Sequence, residues 1–167
     1  MSDLLPENEA ERQAALDDCG ILDTLPEQAY YEIVHLAASI CEAPIASISL
    51  IDHDREWIKA IVGVDVKEVP RQYSFCAQTI LRPEMMIVED ARHDSRFVTN
   101  PFVTGSPHVR FYAGMPLTIA GDAHIGALCV VDVVPRELTE KQTNTLRVLA
   151  NQLSTQLELR RQLRTTE

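Results

Sequence analysis

A chain of 167 residues with 46% hydrophobic residues is long enough to bury one core of its own. Its formal net charge of -10 repels phosphate groups, which argues against binding nucleic acid or an anionic membrane surface. The start MSDLLPENEAERQ lacks the basic and apolar parts of a signal peptide, and no apolar run approaches the ~20 residues of a membrane span. We therefore expect a cytoplasmic protein without nucleic-acid or membrane partners.

The first elements are two helices. A short helix is predicted near Pro6–Asp18, and Gly20 is placed to end it in a left-handed conformation. Thr24 and Glu27 have the spacing of a capping box, which predicts the start of a second helix. Apolar residues then recur at helical spacing until about Cys41, where the sequence EAP interrupts the pattern.

Strand patterns fill the next part of the chain. IASISLID (Ile45–Asp52) and WIKAIVG read as two strands, and the turn residues HDRE between them predict an antiparallel hairpin. Pro70 suits an edge strand. SFCAQTIL reads as a short helix with Ser74 as its N-cap, and MMIVED as a further strand.

The remainder consists of a long loop, a second hairpin and a long helix. ARHDSRFVTNPFVTGSPHV is rich in turn residues, as binding loops often are. RFYAGMPLTIAGDAHIGALCVVD predicts two strands around Gly121 and Asp122, and Thr139 with Gln142 forms a capping box for the last helix. Hairpins in place of βαβ units predict an α+β fold with an antiparallel sheet and helices on one or both faces.

The last helix, predicted over Thr139–Arg164, would be about 39 Å long at ~1.5 Å per residue. A domain of this size is about 30 Å across, so we expect the helix to extend past its own core. It carries a leucine stripe: Leu146, Leu149, Leu153, Leu157 and Leu163. Either the stripe covers the protein's own sheet, or it pairs with a second chain or with the short first helix.

Four cysteines, at positions 19, 41, 76 and 129, are far apart and form no CxxC or Cys/His ligand spacing. We therefore expect neither a disulfide framework nor a zinc site. Cys76 could act as a nucleophile, because it lies in the first turn of a predicted helix and near Arg71, and folding could bring His93 or His108 close. The alternative is that Cys76 packs with Phe75 beneath the helix.

Other candidate motifs favour structure over chemistry. Asp52–Asp54 (DHD) has a metal-binding composition, but Asp is a common turn residue at a hairpin tip. RHDSR is interpreted as a solvated turn, and no phosphate-binding glycine loop or serine nucleophile motif is present. We expect no metal, no cofactor and no catalytic residue.

A ligand pocket is predicted where the long loop meets the strand RFYAGMPL. Arg110 and Tyr112 lie on one face of that strand, and they offer a guanidinium and a hydroxyl group. Alternatively, Arg110 pairs with Asp90 or Asp94 and holds the loop closed. The predicted ligand-binding residues are Phe75, Cys76, Asp90, Phe97, Arg110, Phe111 and Tyr112.

Taken in order, the segments GILDTLPE, PIASISLIDHDREWIKAIVG, SFCAQTI, IVEDARHDSRFVTNPFVTGSPHVRFYAGMPL and IGALCVVDVVPRELTEKQTNTLRVLANQL closely resemble GAF domains. The chain is similar to the GAF module at the N-terminus of bacterial sensor histidine kinases and diguanylate cyclases. The resemblance runs from about Glu9 to Arg161.

This resemblance implies a central antiparallel sheet of five or six strands. The terminal helices lie on one face, and a ligand-pocket segment covers the other. It also implies one GAF domain over residues 1–167 with a core of about 20–155, while 1–19 and 139–164 are flanking helices for dimerisation or signalling.

Some stand-alone GAF proteins reduce free methionine-R-sulfoxide. Those proteins resemble this chain in having a cysteine at the position of Cys76, but they carry two further cysteines in the following loop. Here that loop, Ile87–Met115, has no cysteine. The cyclic-nucleotide signature and the surroundings of a bilin attachment site are not recognisable either. We therefore expect a non-enzymatic sensor that forms a homodimer, binds a small molecule and acts on a kinase or cyclase partner. A thiol redox enzyme using Cys76, or a module that only contacts a partner, remains the alternative.

Overall fold

The computed structural model describes residues 4–165 and contains one sheet of six antiparallel strands. Its strands are β1 (Ile45–Ile51), β2 (Arg55–Val62), β3 (Glu68–Pro70), β4 (Met86–Val88), β5 (Phe111–Ile119) and β6 (Ala123–Asp132). They are arranged in the order β3-β2-β1-β6-β5-β4, so both predicted hairpins, β1–β2 and β5–β6, are neighbours in the sheet. The predicted α+β fold with its antiparallel sheet is confirmed.

Helices cover both faces of this sheet. They are α1 (Glu9–Cys19), α2 (Gln28–Cys41), α3 (Phe75–Thr79), α4 (Pro101–Thr104) and α5 (Glu140–Thr165), with short 3-10 helices at Arg71–Tyr73 and Ala91–His93. The first two helices and α5 pack on one face, which we call the helical face. The segments between β3 and β5 cover the other, which we call the cavity face.

Side chains of the central strand β1 point alternately to the two faces of the sheet. Ala46, Ile48 and Leu50 point to the helical face, whereas Ser47 and Ser49 point to the cavity face. Since every residue of β1 is buried, the small serines leave space on the cavity face that larger apolar side chains would fill.

Three helix ends follow the sequence signals. Ser74 caps α3, where its Oγ accepts a hydrogen bond from the Ala77 amide at 3.0 Å. Thr139 and Gln142 exchange the two bonds of a capping box before α5. Gly20 ends α1 with φ of 67°, the left-handed conformation that glycine adopts without strain.

The capping box predicted for Thr24 and Glu27 is wrong. Glu27 is the N-cap of α2, but its side chain makes no capping bond. Lys59, a fully buried side chain of β2, donates instead to Glu27 Oε2 at 2.6 Å and to Thr24 Oγ1 at 2.8 Å. A buried ammonium group is unfavourable without acceptors, whereas water can bond the exposed end of the helix. These oxygens therefore accept from Lys59.

Four of the five leucines of the α5 stripe cover the protein's own sheet, and the fifth, Leu163, is exposed. Leu146, Leu153 and Leu157 are fully buried and Leu149 is half-buried against the helical face. Leu157 is the last buried residue of α5, so the helix continues for two turns past the apolar core, as its predicted length indicates. Those turns still contact the protein, because Arg160 binds Glu27 and Arg164 donates to the Asp18 carbonyl. Pairing with a second chain would therefore use a different row of α5.

Candidate ligand-binding site

A cavity of about 390 Å³ lies between the cavity face of the sheet and the segments that cover it. Its walls are mostly apolar, and they include Val64, Val66, Val69, Phe75, Phe102 and Val109. Its floor is polar and is formed by side chains of the central strands, among them Ser47, Glu56 and Cys129. A volume above ~300 Å³ with apolar walls and a few convergent polar groups is typical of small-molecule sites.

Among the described residues that line the cavity, Glu56 is the one with a buried carboxyl group, and 7% of the residue is exposed. It lies on β2 on the same face as Ile58, because side chains two residues apart on a strand share a face. Ser49 donates to Glu56 Oε2 at 2.7 Å, and Ser74 donates to Glu56 Oε1 at 2.6 Å. Within residues 4–165 no Lys, Arg or His side chain contacts this carboxyl group.

The sequence pattern does not identify Glu56, because the turn residues HDRE predict a loop that ends at this residue. In the structure β2 begins at Arg55, so Glu56 is already inside the strand. The period-two pattern of Glu56 with Ile58 was the available signal, since it places a carboxyl group on an apolar strand face.

A chain of polar contacts continues from Glu56 along the floor. It passes through Ser49, Ser47, Cys129, Cys76, Tyr112 and Thr79. The two Sγ atoms of Cys76 and Cys129 are 4.0 Å apart, and the Tyr112 hydroxyl lies 3.2 Å from Cys76 Sγ and 2.7 Å from Thr79 Oγ1. Every side chain in this series of contacts therefore has a polar neighbour.

Tyr112 reaches these partners because Gly114 follows it on the same face of β5. The tyrosine side chain lies along the strand, and a Cβ atom at position 114 would be 2.2 Å from its hydroxyl oxygen. Glycine is therefore required for this close approach.

Stacked aromatic rings form and support one wall of the cavity. Phe75, which lines the cavity, stacks on Phe97 with ring centroids 4.0 Å apart, and its ring lies 5.3 Å from that of Tyr112. Of the predicted ligand-binding residues, Phe75, Cys76 and Tyr112 thus line the cavity, and Phe97 lies behind its wall.

The remaining three predicted residues lie elsewhere. Phe111 faces the helical face, where the Arg136 guanidinium covers its ring, because neighbouring residues of β5 point to opposite sides. The Arg110 guanidinium donates to the carbonyls of Val103 and Val109, so its predicted pairing with Asp90 or Asp94 is wrong.

Both of those aspartates have a nearer arginine. Asp90 pairs with Arg92, and Asp94 pairs with Arg96. The hydrogen bonds from Arg92 lower the pKa of Asp90 to about 2. Each pair is only two residues apart in sequence, which makes the contact easy to form within one turn and leaves Arg110 to bond the backbone.

Cys76 lies in the first turn of α3, as predicted, but it lacks the exposure and the neighbouring cation that would activate its thiol. It is 2% exposed, and its pKa is raised well above the ordinary value by the hydrogen bond with Cys129, by burial and by the negative charge of Glu56. Arg71 is bound to Glu9 and to the Asp52 carbonyl instead, and His93 and His108 are exposed. A thiolate at position 76 would have no stabilising cation among the described residues.

We expect that iodoacetamide leaves all four cysteines of the folded protein unmodified at about pH 8, because all four are buried and the reagent reacts with thiolates. The same treatment in denaturant is the control, and it should modify four thiols. Peptide mapping by mass spectrometry measures the sites. Rapid modification of Cys76 alone in the folded protein would contradict this description.

Burial raises the pKa of Glu56 above its ordinary value, and the bonds from Ser74 and Ser49 lower it by less. The folded protein therefore holds this proton more tightly than the unfolded chain does. Consequently the contribution of Glu56 to stability decreases as pH rises from the ordinary glutamate value through the folded-state pKa.

A Glu56→Gln variant removes this titration. We expect the free energy of unfolding of the variant, relative to the wild type, to increase as pH rises above the ordinary glutamate pKa of 4.5. Chemical denaturation at several pH values measures it, and Glu32→Gln, at an exposed position of α2, is the matched control. A difference that does not vary with pH would argue against a raised pKa of the buried carboxyl group at position 56.

No metal site or membrane helix is found in the part of the chain that the structure describes. No group of three His, Cys, Asp or Glu side chains there is placed to hold a metal ion. The carboxyl group of Asp52, within the DHD motif, binds Arg55 and Gln13 instead. Between residues 4 and 165 no helix has the length and apolarity needed to cross a membrane.

Comparison with protein families gives a match to the model described as the GAF domain over residues 25–157. A cyclic di-GMP phosphodiesterase from Pseudomonas aeruginosa is 45% identical over 131 residues, which are 78% of this chain. The chain spans about a fifth of that relative's length, 22%.

Solved structures share the fold at low identity. The GAF domain of an Acinetobacter phosphoenolpyruvate-protein phosphotransferase superposes with a TM-score of 0.66 at 19% identity, covering 92% of this chain and 94% of that one. A free methionine-R-sulfoxide reductase from Neisseria meningitidis, solved with its substrate, gives a TM-score of 0.66 at 16% identity and covers 98% and 99%. At these identities the likeness establishes the fold alone.

Proposed function

The chain belongs to the GAF domain family, and on that premise we propose that it is a non-enzymatic sensory or regulatory module. It binds a small ligand in the cavity and signals through its terminal helices. The observation that carries this proposal is the cavity itself, which combines apolar walls with the buried carboxyl group of Glu56 and a thiol lacking an activating cation.

Strand β2 supports a route from the cavity to the helices. Glu56 and Ile58 line the cavity, whereas the neighbouring Lys59 points to the helical face. Lys59 binds Glu27 at 2.6 Å, and Arg160 of α5 binds the same carboxyl group at 3.0 Å. A ligand changes the position of α5 only if it binds one arrangement of these elements better than another.

We propose that the module is a homodimer in the cytoplasm and that it acts on a signalling enzyme. Kinases and cyclases are the partners that the family resemblance implies, and the phosphodiesterase relative adds an enzyme of cyclic di-GMP to them. Val148 and Leu159 support a dimer surface on α5, because they lie on one face of the helix and are 56% and 54% exposed.

We expect light scattering to give about twice the chain mass of 18.7 kDa, and Leu159→Glu to reduce it to that of one chain, because a buried charge would oppose association. Lys141→Glu, another charge change at an exposed position of the same helix, is the control and should remain dimeric. A wild-type protein that is monomeric at all concentrations would exclude the proposed dimer.

Native mass spectrometry tests ligand binding. The purified protein is incubated with a small-molecule extract of bacterial cytoplasm, and we expect it to retain a component of defined mass. Val131→Phe adds a ring at a half-buried cavity wall and should abolish retention, whereas Val133→Phe, two residues along and outside the cavity, should not. Absence of any retained component, or equal retention by Val131→Phe, would refute a receptor role for the cavity.

A thiol-dependent reductase is the second candidate. It is favoured by the 4.0 Å separation of Cys76 and Cys129 Sγ, which supplies the second thiol that the loop after Cys76 lacks. Reduction of a sulfoxide to a thioether would then convert the two thiols to a disulfide and release water. Turnover of methionine-R-sulfoxide by the wild type with an external thiol, lost in Cys76→Ser, would establish this activity in place of the sensor.

A further inference from the structure

We propose that the ligand has an apolar body and a cationic head, such as a protonated amine, and that the head binds Glu56. This inference rests on the proposed function, because it describes the molecule that the cavity receives. It concerns the charge of the ligand, which the fold leaves open.

The charges around the cavity all have one sign. Among the described residues that line it, Glu56 and Asp65 carry acidic groups, and none is Lys, Arg or His. Nearby cations are already engaged: Arg55 binds Asp23, Asp52 and Glu68, and Arg110 binds backbone carbonyls. Asp65 is exposed and Glu56 is buried, so an anionic ligand would meet a carboxyl group on the floor and no cation to compensate its own charge.

Glu56 has capacity for a further hydrogen bond. The serines at 49 and 74 each donate one bond to it, and an ionised carboxyl group can accept about four. Both serines donate, so the group is arranged as an acceptor, and its charge has no cationic partner in the described chain. Burial disfavours the ionised form of Glu56 and raises its pKa, so a ligand cation bound there would supply the missing counter-ion and stabilise that form.

The walls select the other end of the ligand. Phe75 and Phe102 present rings, and Val66, Val69 and Val109 present aliphatic groups. Such walls exclude water from an apolar body, and at about 390 Å³ the cavity lies toward the small end of ligand sites. Together the walls and the floor match a small hydrophobic amine better than a phosphate or a carboxylate.

Three probes that share one apolar body test the charge preference: phenylpropylamine, phenylpropanol and phenylpropionate. Isothermal titration measures their affinities for the full chain at neutral pH. We expect the affinity of the amine to be at least about ten-fold higher than that of the alcohol, and the carboxylate to bind most weakly. In Glu56→Gln the affinity for the amine should fall to about that of the alcohol, whereas Glu32→Gln should leave all three affinities unchanged.

The possible failures are distinguishable. If the three probes bind equally, if the carboxylate binds best, if none binds, or if Glu56→Gln retains the preference for the amine, the inference about ligand charge is overturned. The proposed receptor role then still stands on the component retained from the extract and lost in Val131→Phe. If that retention fails as well, the receptor role falls with it.

Discussion

Replacement of Glu9 by alanine is expected to lower the free energy of unfolding by about 3 to 5 kcal/mol, the usual cost of removing one partner of a buried ion pair. Arg12, whose side chain is fully buried, donates from Nε to Glu9 Oε1 at 2.8 Å. Its Nη1 atom already has no hydrogen-bond partner among the described residues, so loss of Glu9 would leave still more of the buried guanidinium unpaired. Because the Glu9 side chain is 21% exposed, water partly replaces it and the lower end of the range applies.

The same carboxyl group connects the two layers of the protein. Arg71, in the 3-10 helix that leads to Ser74 on the cavity floor, donates to Glu9 Oε2 at 2.8 Å. Loss of Glu9 therefore also frees the segment that positions Ser74 against Glu56. Chemical denaturation measures the stability, and Glu11→Ala, at an exposed position in the same first turn of α1, controls for helix propensity and charge.

The stability difference should depend on pH in a defined direction. Burial raises the pKa of Glu9, but the hydrogen bonds from Arg12 and Arg71 outweigh it and lower the pKa from 4.5 to about 2. Its stabilising contribution is thus complete above the ordinary value and is lost as pH falls from 4.5 towards about 2. The gap between wild type and Glu9→Ala should narrow across that window, and a gap that is constant with pH would contradict the assignment.

Leu153→Ala is expected to destabilise the protein by about 2 to 5 kcal/mol, because it opens a cavity where α5 packs on the sheet. Leu153 is 0% exposed and belongs to the core of the helical face. Next to it, Ser154 Oγ accepts a hydrogen bond from the Thr118 amide of β5 at 3.0 Å, which fixes the helix on that strand.

Leu159→Ala is the matched control, since it makes the same substitution at a 54% exposed position of the same helix. Its cost within one chain should stay within about 0.5 kcal/mol. Thermal or chemical denaturation at a concentration that gives monomers compares the two. Equal costs would mean that α5 does not contribute its Leu153 row to the core.

Much of the fold is predictable from the sequence because its signals are local. The two hairpins, the Ser74 cap and the capping box of α5 each depend on residues a few positions apart, and all occur in the structure. The capping box at Thr24 fails because Lys59, a distant residue, binds the same oxygens. Local patterns do not report such long-range competition.

The site is less predictable for the same reason. Phe75, Cys76 and Tyr112 are found from their sequence neighbourhood, whereas Glu56 is missed because β2 begins two residues before the predicted strand. The proximity of Cys129 to Cys76 requires the order of strands in the sheet, which no motif contains. Arg110 has the expected position on the chain, but its partners are backbone carbonyls that only the folded loop presents.

Hydrogen–deuterium exchange with and without the bound component of the extract tests most directly whether a ligand in the cavity acts on the terminal helix. We predict slower exchange in two places: at the cavity segments of β2 and α3, and in the last turns of α5 around Arg160, which the Lys59–Glu27 link joins to β2. In Val131→Phe both changes should disappear together. Protection of the cavity without any change in α5, or a change in α5 that persists in Val131→Phe, would contradict a receptor that signals through its terminal helices.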